Sequence, residues 1–232
     1  MGTRFAVAIA FACLAGQPLA PCARKATQKS DFQPAKAVSI SDVAIPLLSV
    51  AIGTVVLDVG ITKEGEVDDV QVRRDIPSET EAAVRSVRAW KFEPAKCNGR
   101  AVPSRVTVAV TFLPRPPIAE DRSSLPPLIH QDHQARPGSS SNPPEVIHAA
   151  FPRLPPFHYT LAGTVVLEAS IDQAGSVQRT KVLRDVPPFT PTSIQALDDW
   201  RFRPASMDGK PVRSKVVLVF CFRQPAGPWP WP

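Results

Sequence analysis

The 232-residue chain lacks most of the signatures that would mark an enzyme. It contains no G-x-S-x-G, no P-loop, no G-x-G-x-x-G and no H-E-x-x-H, so neither an activated nucleophile nor a phosphate cradle is in view. Cysteine occurs four times, at positions 13, 22, 97 and 221, without the C-x-x-C spacing that a zinc site would show. No cofactor is expected. The basic residues alternate with acidic ones and never form a block, so the net charge of +6 describes a solvated surface rather than a nucleic-acid footprint. The longest apolar run, Phe5 to Ala15, is too short for a hydrocarbon core, which takes about 20 residues. Proline, by contrast, is abundant at 27 residues and clusters between two similar stretches and at the end.

Residues 1–20 read as an export signal: Arg4 supplies the positive start, "FAVAIAFACLA" the apolar run, and Ala20 a small residue for cleavage. Pro21 next to Ala20 disfavours cleavage there. Leu19-Ala20-Pro21-Cys22 also fits a lipoprotein signal with Cys22 acylated, and an uncleaved anchor is the third reading. Export would place the protein in the periplasm or cell envelope, anchored to the membrane if the segment is acylated or retained. An oxidising compartment would then make Cys97 and Cys221 candidates for a disulfide.

What the chain does carry is a duplication. Shifted by 110 positions, Gly53–Phe112 matches Gly163–Phe222 without a gap, with 22 identities in 60 positions. Gly53-Thr54-Val55-Val56-Leu57 recurs as Gly163-Thr164-Val165-Val166-Leu167, and "WKFEPAKCNGRAV" as "WRFRPASMDGKPV". Such recurrence points to a repeated structural unit rather than a catalytic motif. The organisation expected is unit 1 over 38–113, a Pro/Ser-rich linker over 114–143, unit 2 over 144–223 and a Pro/Trp tail over 224–232.

Each unit opens with alternating apolar residues, Val55, Leu57, Val59 and Ile61 in the first and Val165, Leu167, Ala169 and Ile171 in the second. This predicts a strand with one face on a core. Gly65 and Gly175 supply a turn. In the next strand, three residues rather than two separate Val67 from Val70 and Val177 from Thr180, which predicts a bulge. Ser78 and Glu81 fit a capping box, and Thr190-Pro191 an N-cap followed by proline. Val84, Val87 and Trp90, matched by Ile194, Leu197 and Trp200, form the buried stripe of a helix. Trp90, Phe92 and Pro94, like Trp200, Phe202 and Pro204, then end that helix and start an extended segment as structural anchors. A third strand follows, with Val106, Val108, Val110 and Phe112 inward.

Taken together, the G-x-V start, the Gly turn, Pro77/Pro187, the W-[KR]-F-x-P-A exit and the G-[KR]-x-V lead to a last strand ending in Phe resemble the C-terminal domain of the TonB family of periplasmic energy transducers. The resemblance implies an α+β fold: two tandem domains, each a three-stranded antiparallel sheet with a helix packed on one face. It also implies a non-catalytic role in which a peptide of a partner, such as an outer-membrane transporter or another envelope protein, adds as a strand beside each last strand. Carried over, the binding edges are Arg105, Val106, Thr107, Val108, Ala109, Val110 and Thr111, and Lys215, Val216, Val217, Leu218, Val219, Phe220 and Cys221, with Arg105 and Lys215 adding charge steering. Two other readings stand beside this one: a membrane-anchored transducer component for transport, and a structural scaffold whose units bind each other. His130 and His133 fall in the linker and suggest no metal site.

Overall fold

The computed structural model describes residues 32–44, 51–113, 141–153, 161–207 and 209–223. Unit 1 runs β1 (Lys36–Ser39), β2 (Gly53–Ile61), β3 (Val67–Arg74), α1 (Thr80–Arg88), β4 (Lys91–Glu93) and β5 (Ser104–Phe112). Unit 2 repeats this with β6 (Glu145–His148), β7 (Gly163–Ile171), β8 (Val177–Arg184), α2 (Phe189–Ala196), β9 (Arg201–Arg203) and β10 (Ser214–Phe222). Short strands flank these: Phe32–Gln33 pairs with Ala95–Cys97, and Ser141–Asn142 with Ala205–Met207.

The long strands of each unit are antiparallel, but they do not form two separate sheets. They merge into one sheet of order β8-β7-β10-β5-β2-β3, joined by parallel pairing of β10 with β5. This corrects the expectation of two separate three-stranded sheets. Parallel pairing of duplicated strands turns one unit over relative to the other. Val217, Val219 and Cys221 of β10 therefore join Ala82, Ala83 and Val87 of α1 in one core, while Val56 and Ala109 join Phe189 of α2 in the other. Each helix covers one face, and the sheet is buried on both. All nine residues of β2 are buried, where sequence alternation had promised one solvated face.

The bulge expected in β3 is present. Gly60 opposes Asp69 and Ile61 opposes Val67, leaving Asp68 as the extra residue; β8 repeats this around Gln178. A second irregularity near Arg73 and Leu183 has no counterpart in the sequence reading. The helix starts differ from expectation. Neither α1 nor α2 has a side-chain cap. Instead Thr80 Oγ1 accepts from the Ile76 amide at 2.9 Å, and Thr190 Oγ1 from the Val186 amide at 2.9 Å, tying the preceding turn to the first helical residues. Ile194 is 38% exposed; Ser193 lies in the core in its place.

The recurrent Trp-x-Phe-x-Pro segment now has a local cause. Trp90 and Trp200 are fully buried, and their indole N–H groups donate to the carbonyls of Ser41 (3.3 Å) and Ala150 (3.0 Å) in the lead-in segments. The Phe92 amide donates to the Gly65 carbonyl at 2.9 Å, and the Phe202 amide to that of Gly175 at 3.1 Å. At Gly65, with φ +87°, a Cβ would lie 1.9 Å from the Phe92 carbonyl oxygen; at Gly175 the distance is 1.8 Å. Gly is required there by close approach as well as by positive φ. The hairpin turn and the helix exit are thus one docked assembly in each unit.

Candidate peptide-binding edges

The residues expected to form free edges lie at the centre of the sheet. Val216, Val217, Leu218, Val219, Phe220 and Cys221 pair in register with Thr107, Val108, Ala109, Val110, Thr111 and Phe112, and the Leu113 amide continues the ladder by donating to the Cys221 carbonyl. On their other sides β5 pairs with β2 and β10 with β7 along their whole lengths. Both expected edges, Arg105–Thr111 and Lys215–Cys221, are therefore occupied from within the chain. The reason is legible in the packing. β10 is apolar on both faces, and a strand buried on both faces takes an interior place in a sheet.

Arg105 and Lys215 are not free to steer a ligand. Arg105 Nε donates to Asp58 Oδ1 at 2.7 Å and its Nη1 to Asp69 Oδ2 at 3.1 Å, while Arg73 donates to Asp58 Oδ2 at 2.9 Å. Burial works against the Arg105 charge, but the bonds and field of Asp58 and Asp69 outweigh it and hold its pKa above the ordinary value. In unit 2, Lys215 bonds Glu168, which is 6% exposed. These charges neutralise carboxylates that the turned-over arrangement buries.

The outer rows of the sheet are β3 and β8, and among the described residues no further strand pairs with either. Val72 and Val182, at matching positions, are 40% and 39% exposed. The bulges and the charged residues Asp68, Arg73, Arg179 and Lys181 blunt these edges.

Where the units meet, the seam is closed by an ion pair. Arg223, just past β10, donates from Nη2 to Glu79 Oε1 at 2.9 Å, and its guanidinium lies 5.5 Å from the centre of the Phe112 ring. Both partners are buried, at 6% and 0% exposure. Nothing in the sequence linked residues 144 positions apart.

The cysteines do not pair as expected. Cys97 is disulfide-bonded, whereas Cys221 is a free, buried thiol, so a Cys97–Cys221 bridge is not formed. Burial pushes the Cys221 thiol up to about 12, against a hydrogen bond with Thr164 and the nearby Arg223 charge. Cys22, the export signal, the linker histidines and the Pro/Trp tail lie outside the described residues. His148 Nδ1 is 2.8 Å from the Asp199 carbonyl oxygen, and no group of metal-ligating side chains occurs among the described residues. No described helix is long and apolar enough to cross a membrane.

Comparison with known proteins agrees with the duplication. The family model described as the Gram-negative bacterial TonB protein C-terminal matches residues 51–114 and again 159–223. A solution NMR structure of the Pseudomonas aeruginosa TonB CTD is 26% identical, covering 34% of this chain and 85% of that one, with a TM-score of 0.30. No curated protein matches the chain. Domains of this family are non-catalytic, periplasmic interaction modules of the Gram-negative envelope, serving transport through contacts with outer-membrane transporters and envelope proteins. The two matched segments take in more than half of the sequence, and the chain belongs to the TonB C-terminal family, with two tandem copies of its domain.

Proposed function

We propose that the chain is a non-catalytic, partner-binding module of the cell envelope, linked to TonB-type transport, in which the strand-adding edges of the two units engage each other. The observation that carries this reading is the parallel pairing of β5 with β10 over six residue pairs. A guest peptide at either strand would have to displace the other unit. It would also open two cores, because each contains side chains from both units. In this closed form the chain acts through its outer surfaces, as a rigid envelope adaptor. Family membership supports envelope location and a role beside transporters, and the absence of a nucleophile–base set from the sequence agrees with a non-catalytic role.

The test is amide hydrogen exchange and chemical-shift mapping with peptides from outer-membrane transporters. The expected result is unchanged, strongly protected amides at 105–111 and 215–221. Perturbation or deprotection of those amides by a peptide would sink the closed-module reading. A second reading has its own observation, the matched exposure of Val72 and Val182. Between its two irregularities each outer strand keeps four regularly paired residues, Asp69–Val72 and Arg179–Val182. A short extended segment could add there, and shifts confined to 69–72 and 179–182 would single out that mode.

A further inference from the structure

The duplication predicts equivalent contacts on the two faces of the sheet where the parallel β5–β10 seam ends, and the structure has them in different chemistry. Position 79 in unit 1 corresponds to 189 in unit 2, and position 113 to 223. On the face covered by α1, Arg223 meets Glu79 and lies over the Phe112 ring. On the face covered by α2, Leu113 is buried in the same cluster as Phe189 and Phe222, whose rings stack at 4.0 Å. The first face is ionic and the second apolar, although the backbone is the same.

We infer that this asymmetry makes each unit's seam a surface for a unit of the other type, in the same chain or in a second copy, and excludes pairing of like with like. The inference rests on the self-pairing reading above. Two copies of unit 1 meeting through β5 would set Glu79 against Leu113 on both faces, burying two carboxylates without a cation. Two copies of unit 2 meeting through β10 would set Arg223 against Phe189, burying two guanidiniums without a carboxylate. Leaving one member of a buried pair uncompensated weakens an association by roughly a hundredfold or more, and a like pair would incur it twice. Unit 1 with unit 2 is the only combination that satisfies both faces. A duplicated chain needs such a rule, since without it neighbouring copies could join through identical units into open chains.

The experiment uses the full chain with a protease site placed within 114–140. The folded protein is cut, mixed with an isotope-labelled cut copy and left to exchange, and the species are read by native mass spectrometry. The expected result is mixed pairs of unit 1 with unit 2, labelled and unlabelled, with like pairs below a few per cent of the total. In the double variant Glu79→Phe/Arg223→Leu, which copies the apolar contact onto the ionic one, like pairs should rise at least tenfold. Abundant like pairs in the unmodified protein, or an unchanged distribution in the double variant, would overturn the lock while leaving self-pairing intact. Complete dissociation on cutting would overturn self-pairing itself, and the lock with it. Should the double variant not fold, thermal unfolding of uncut Glu79→Leu, Arg223→Leu and their combination reads the same coupling. Each single change should then lower Tm more than the pair together, and additive losses would refute the lock.

Discussion

The two units bury a carboxylate at the same strand position and neutralise it with different cations. In unit 1 Asp58 is held by two guanidiniums, Arg73 and Arg105, with Asp69 completing the group. In unit 2 the equivalent Glu168 has one ammonium partner, Lys215, and the position matching Arg73 is Leu183. The backbone-setting residues are the same in both: Gly65 and Gly175 against the Phe carbonyl, Thr80 and Thr190 tying the turn, Trp90 and Trp200 in the core. Duplication has kept what fixes the path of the chain and varied the cations that neutralise the buried carboxylate.

The largest effect should come from the part that does not differ. Trp90→Ala and Trp200→Ala each remove a fully buried indole and its N–H bond to a lead-in carbonyl. Each should cost about 3–5 kcal/mol, and the two losses should agree within about 1 kcal/mol. Because the units share one sheet and both cores, either substitution should lower a single cooperative transition. Urea unfolding followed by both far-UV and near-UV signals checks this. Two separate transitions, with one half untouched, would show that the units are energetically independent.

The comparison is sharpened by the charges. Asp58→Asn leaves Arg73 and Arg105 facing a neutral amide, and should cost about 3 kcal/mol, at the low end for a broken buried pair because both guanidiniums retain some solvent contact. Glu168→Gln should cost less, about 2 kcal/mol, since Lys215 can swing its ammonium outward on a flexible stem. Equal losses in denaturant titrations would show that the extra guanidinium of unit 1 adds nothing.

Much of this was legible in the sequence, for local reasons. The bulge at Asp68 followed from the broken alternation between Val67 and Val70. The Trp-x-Phe-x-Pro stretch was readable as a helix exit because proline and spacing act within a few residues. Ser78 and Glu81 fit a capping box, but the tie common to both units is made by Thr80 and Thr190, and that recurrence was the available signal. The pairing of β5 with β10 also left a trace. Lys215–Phe222 is apolar at nearly every position, which suits an interior strand better than a free edge. Parallel register and the Glu79–Arg223 contact were beyond reach, since both join segments more than 100 positions apart and depend on one unit being turned over.

The smallest expected effect concerns Cys221. In unit 1 the equivalent position is Thr111, whose hydroxyl bonds that of Thr54 at 2.9 Å across the strands. In unit 2 Cys221 stands opposite Thr164, the counterpart of Thr54. Cys221→Thr should rebuild the threonine pair and change stability by no more than about 1 kcal/mol, whereas Cys221→Ala, which leaves a gap and removes the partner of Thr164, should cost about 1–2 kcal/mol. The thiol gives a second readout. With its pKa pushed up to about 12, Cys221 should resist alkylation in the folded protein up to about pH 10 and react only after unfolding. Rapid labelling of the native protein at neutral pH would mean that the β5–β10 seam opens, and that the two units spend time apart.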